Sequence, residues 1–178
     1  MARIGTQAVT RTDVQAAVGF GLIEAKSADD PEALRQAIER QLELNEVARF
    51  PPPEPSAAAL DQQVAAMKMR AGPTLDALMR STGLDEARLR ELARDTLRIQ
   101  AYLAQRFGTS TQVSDEEVRK YYDEHRDRFT RNGTPIPFED AEAEVRQQAS
   151  AARLRTTVAQ WLRDLRARSE VVVVEPGP

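Results

Sequence analysis

The sequence predicts a mainly α, elongated, multi-helix protein with a small β-sheet joining its amino- and carboxy-terminal segments. Three observations predict it. Apolar residues recur at spacings of three and four through most of the 178 residues, the period of helices with one buried face. Helix-start signals at Asp30-Pro31, Ser56 and Ser114–Glu117 precede those runs. The β-prone runs lie near the two ends, at residues 3–10 and at Val171–Val174. The chain is 41% hydrophobic, 30% charged and only 5% aromatic. That balance gives a thin core, which suits an elongated helical body better than a sphere.

Arg3-Ile4 and Ala8–Thr10 flank Gly5-Thr6-Gln7 as a hairpin around a tight turn. A helix starts near Thr10, whose hydroxyl is followed three residues later by Asp13, a capping-box variant. Gly19 and Gly21 end or fray it. The second helix opens with Asp30 as cap and Pro31 at its first position. Leu34, Ile38, Leu42 and Asn45 share its face. It stops at Phe50, because Pro51-Pro52-Pro53 and Pro55 cannot continue a helix. This stretch reads as a stiff linker, or else as a proline-rich ligand for a partner module.

Ser56 caps a third helix with the stripe Leu60, Val64, Met67, Ala71. Gly72-Pro73 ends it and opens a short helix carrying Leu75, Leu78 and Met79, closed by Gly83. Asp85 begins the most regular segment, with Leu89, Leu92, Thr96, Ile99 and Leu103 on one side. Ser114-Asp115-Glu116-Glu117 is a full capping box. It starts a helix with Val118, Tyr122, His125 and Phe129 on its apolar face. Residues 131–137 read as a turn-rich loop. A long helix follows over about 138–168, with Ala141, Val145, Ala149, Ala152, Ala159, Leu162 and Leu165 as its stripe and Trp161 beside it. Val171–Val174 needs a ladder partner and finds it in residues 3–10, within one chain or across a swapped dimer.

Composition removes several function classes. There is no cysteine, so disulfides and thiol catalysis are excluded, and His125 is the single histidine. Net charge is −3, which argues against a dedicated nucleic-acid binder. No apolar run approaches a membrane span, so no stable membrane insertion is expected. No glycine spacing matches a phosphate loop. Glu139, Asp140, Glu142 and Glu144 form an acidic cluster, but acids in a first helical turn are favoured by the helix dipole anyway. No metal and no cofactor are expected, and no catalytic residue is assigned.

The segment Ala33–Leu42, continuing through Glu46-Val47-Ala48, resembles the opening of the SurA-type periplasmic chaperones. Leu78–Arg90 is similar to that family's helix junction, and Tyr102–Phe107 to the end of its next helix. Val113–Phe129, reading VSDEEVRKYYDEHRDRF, is the strongest match. Trp161–Arg166 with the valine run resembles the closing helix and strand. The resemblance covers Ile4 to Val174 and implies one SurA-like peptide-binding domain over 1–178, with core helices about 31–129. It also implies a periplasmic location, reached by a leader that this sequence does not display. In this family a parvulin isomerase domain usually follows the VSDEEVRKYY helix. The interval Thr130–Pro137 is too short to hold one, so the expectation is a chaperone without prolyl isomerase activity, and no enzyme.

The expected function is therefore an ATP-independent holdase for unfolded or partly folded envelope and outer-membrane proteins. The alternatives are a subunit holding one specific partner, and an enzyme built on His125 and the acidic cluster. A holdase needs adaptable apolar contact, which methionine supplies. Phe50, Met67, Met69 and Met79 are the expected client-binding residues. Met67 lies on the stripe of the third helix and Met69 roughly opposite, by the 100° step per residue. A homodimer through the terminal segments is a further expectation.

Overall fold

The computed structural model describes residues 1–108, 112–131 and 133–174. It is mainly α with a small terminal sheet, as the sequence predicts. The order is β1 (Ala2–Ile4), β2 (Gln7–Val9), α1 (Arg11–Gly19), α2 (Pro31–Arg49), α3 (Ala57–Ala71), α4 (Leu75–Thr82), α5 (Glu86–Phe107), α6 (Asp115–Glu124), β3 (Thr130–Arg131), β4 (Thr134–Pro135), α7 (Phe138–Ala167) and β5 (Val171–Val173). The chain forms two compact units: Met1–Tyr102 with Leu162–Pro178, and Leu103–Trp161.

In the first unit, the sheet has the strand order β2-β1-β5, all antiparallel. The hairpin pairs Ala2 with Val9 and Ile4 with Gln7, so its turn is Gly5-Thr6 and Gln7 already belongs to the strand. β5 pairs Ala2 with Val173, Arg3 with Val172 and Ile4 with Val171. The valine run thus finds the expected partner within the same chain. Thr10 and Asp13 form a reciprocal capping box that starts α1. The α1 C-terminus approaches α4 so closely that a Cβ on Gly19 would lie 2.5 Å from a methyl of Leu78. Glycine permits this contact because it has no side chain.

Asp30 caps α2 by accepting the Glu32 N–H, and Pro31 occupies its first turn. Past Phe50 the proline stretch packs against its own chain. Pro52 is buried, and the Glu54 carboxylate lies 3.7 Å from Arg94 Nε and 3.6 Å from Arg98 Nε on α5. Ser56 caps α3 as the sequence indicates. Gly83 takes the left-handed conformation at the end of α4, at φ 67°, a geometry that glycine adopts without a Cβ clash. The core of this unit gathers Ala16, Phe20, Leu60, Met67, Ala71, Leu78, Leu89 and Ala93. Along α5 the predicted Leu89 and Ile99 are buried, joined by Ala93, Tyr102 and Phe107, while the predicted Leu92 packs half-buried on the same core and Thr96 and Leu103 are half-buried. A search for large apolar residues overlooks Ala93, whose small side chain is fully enclosed.

In the second unit, Ser114 and Glu117 form the predicted capping box of α6. Val118, Tyr122, Phe129, Ala141 and Val145 make its core. α6 ends at Glu124, and His125 is its C-cap rather than a helical residue. The predicted loop at 131–137 contains a small hairpin, pairing Thr130 with Pro135 and Arg131 with Thr134. The Tyr122 hydroxyl donates to the Ile136 carbonyl at 2.6 Å and ties this hairpin to α6. Arg146 and Arg153 of α7 reach Asp115 and Glu117, each at 2.7 Å.

Candidate functional site

The four residues expected to contact clients fall into two environments. Met67 is 2% exposed, and Met79 packs partly buried against the same core cluster. Met67 turns inward because the stripe Leu60–Met67–Ala71 faces Phe20, Leu78 and Leu89. It fills the core and offers no surface to a ligand in this fold. Met69 and Phe50 are 79% and 63% exposed. Met69 stands on the solvent side of α3 because two residues turn a helix by about 200°. Phe50 is held outward by the extended proline stretch that follows it. The structure therefore leaves Met69 and Phe50 as surface side chains, puts Met67 in the core and packs Met79 half-buried against it.

Beside this region, a cavity of about 190 Å³ opens among β2, α1, α2 and α5, lined by Ala16, Ala37, Arg40, Arg88, Leu92 and Asp95, among others. Arg40 donates to the Thr96 hydroxyl at 2.8 Å. Burial disfavours the charges here: it lowers the Arg40 pKa and raises that of Asp95. Burial also pushes Glu43, next to Arg40, up to about 7. The sequence search missed this group, since its members are individually ordinary surface residue types. Their i, i+3 spacing on α2 is the signal that pairs Arg40 with Glu43.

In the second unit, His125 stacks on Tyr121 with ring centroids 4.1 Å apart. Its Nδ1 lies 2.9 Å from the Tyr121 carbonyl. An open concavity of about 300 Å³ lies nearby, lined by Val113, Lys120, Tyr121, Ala149, Arg153 and Thr156, among others. The acidic cluster is dispersed into separate contacts. Glu139 faces Arg119 at 3.5 Å, Glu142 pairs with Arg146 at 2.8 Å, and Glu144 accepts from Gln148 at 3.0 Å. Among the described residues, no group of three or more His, Asp or Glu side chains is placed to hold a metal ion. Among the same residues, no helix is long and apolar enough to cross a membrane.

Residues 113–176 match the family model of the PPIC-type PPIase domain. The match begins at the Val113-Ser114 junction that opens α6 and runs through α7 and β5. It is consistent with the parvulin and SurA families broadly. No curated protein and no solved structure matches the chain. The family match overturns the expectation that the protein is no enzyme, because peptidyl-prolyl isomerases are an enzyme class. The expectation failed at one step. It sought an isomerase insertion within Thr130–Pro137, whereas the matched segment includes α6 and the long closing helix themselves.

Proposed function

We propose that the protein is a parvulin-related folding factor that holds unfolded or partly folded polypeptides without ATP, in the cell envelope. The observation that carries this reading is the PPIC-type match over residues 113–176, a domain class that acts on polypeptide chains. The surface chemistry supports it. Met69 and Phe50 are large apolar side chains left in solvent, and a flexible thioether accommodates many partners. Binding by such contacts is broad and weak. The envelope location and outer-membrane clients rest on the SurA resemblance of the sequence. The test is aggregation suppression with two unrelated unfolded clients, one of them an outer-membrane β-barrel protein. Protection of both is the expected result. Protection of neither, with one native partner recovered instead, would replace this reading with a dedicated subunit. Prolyl isomerisation measured on the same preparation reports separately on the enzyme class that the match introduces.

A further inference from the structure

We propose that the outer edge of β5 is a strand-addition site for an extended apolar polypeptide segment. The register identifies which backbone groups turn away from β1. Gly5 N–H donates to Glu170 C=O at 3.1 Å, and Val174 N–H donates to Met1 C=O at 2.8 Å. Antiparallel pairs alternate between bonded and non-bonded. The residues whose groups turn toward β1 are therefore 170, 172 and 174. Val171 and Val173 turn their N–H and C=O groups the other way, to the edge of a sheet whose order ends at β5.

The side chains at this edge fit the same ligand. Val172, Val173 and Val174 are 39%, 49% and 49% exposed. Exposed sheet edges are ordinarily blunted by lysine or proline, and residues 171–174 contain neither. The neighbouring charge of Glu170 is engaged by Arg3 at 3.5 Å. An added strand would gain main-chain hydrogen bonds irrespective of its sequence, with apolar side chains on alternate positions providing preference. The length of the edge selects the occupant. Three residues give an edge about 10 Å long, and at a strand spacing of about 5 Å an added strand covers on the order of 100 Å², far short of the roughly 1,000 Å² that a stable protein interface buries. Such an edge suits transient capture of an extended segment rather than a permanent dimer. The inference rests on the folding-factor reading for the source of that segment, an unfolded protein.

Val173→Pro tests it. Proline removes the outward N–H of residue 173 and is tolerated at a sheet edge, so the ladder to β1 is left intact. Val173→Lys is a second blocking variant that keeps the N–H, and Val173→Thr is the control. The probe is a short labelled peptide of alternating valine and threonine with a lysine at each end, followed by fluorescence anisotropy. Both blocking variants should weaken binding by about tenfold or more, roughly 1.4 kcal/mol, while Val173→Thr stays within a few-fold. Peptide should slow hydrogen exchange at the Val171 and Val173 amides. Equal affinity in all variants, or unchanged exchange, overturns the proposal. So does concentration-dependent dimerisation lost in Val173→Pro without peptide binding, because the occupant is then a second copy. Wild-type protein that binds the peptide yet protects neither unfolded client would leave the edge site standing and remove the folding-factor reading. Client protection with no effect of the edge variants would do the reverse.

Discussion

Burial holds Glu43 in its protonated form up to a pH of about 7, well above the 4.3 or so of a free glutamate. Between those values the folded chain binds a proton that the unfolded chain has released. Stability therefore falls as pH rises across this window and is flat below it. Glu43→Gln should remove that loss. The variant is expected to be more stable than the parent at pH 8 by about 3 kcal/mol, with the two curves converging near pH 4.5. A pH series of thermal melts checks this, and parallel curves would show that Glu43 is solvated. The two methionines of α3 give a second contrast. Met67→Ala should cost about 2–5 kcal/mol because it empties a core position. Met69→Glu should leave the melting temperature nearly unchanged while weakening client binding. A large loss of stability in Met69→Glu would make that residue structural. The sequence distinguished these two residues by helical phase, since the 100° step puts them on opposite sides. It could not show that the Met67 side was enclosed, because the stripe alone does not name its partners.

Helix starts were the most legible elements. Asp30, Ser56 and Ser114 each cap the helix that the sequence assigned to them, because capping is a contact between residues two or three positions apart. The same locality makes it testable. Ser114→Ala removes the hydroxyl that accepts the Glu117 N–H at 3.2 Å, and it should destabilise α6 by about 0.5–2 kcal/mol. Denaturant melts or exchange at the first α6 amides would register it, whereas an unchanged α6 would show that the Glu117 carboxylate, which accepts from Ser114 N–H and Arg153, suffices to hold this turn. Features set by distant partners were less legible. The β3–β4 hairpin escaped notice because its strands are two residues each, too short for an alternating pattern. His125 was placed on a helical face because periodicity carries no information about where α6 ends. The Arg40–Glu43–Asp95 group joins α2 to α5, a juxtaposition that no local pattern encodes.

For the whole molecule, the net charge of −3 is too small to steer clients from a distance. Client binding should therefore be apolar in character, in the micromolar range, roughly −8 kcal/mol, and persist at raised salt. Titration of an unfolded client at low and high salt measures this. Binding abolished by salt would assign the contact to the many exposed arginines instead. The fold class was readable because it depends on periodicity and on two terminal β runs. The parvulin-related character was readable in VSDEEVRKYYDEHRDRF, but the enzyme class was not, because the expectation treated the isomerase as an insertion between helices. The matched segment instead incorporates helices that the sequence had assigned to the chaperone part.

The pairing of β1 with β5 also orders events in time. Met1 and Val174 meet across a sequence separation of 173 residues. At roughly 5–20 residues per second, a ribosome needs on the order of 10–35 s to add that much chain. Through most of that interval the β1–β2 hairpin has been made but β5, its other neighbour in the sheet, has not. The side of β1 that will carry Val172 is open to any nascent chain that reaches it. A contact this remote in sequence also carries a large loop-closure cost, so β1, made long before β5, waits longest for its native neighbour.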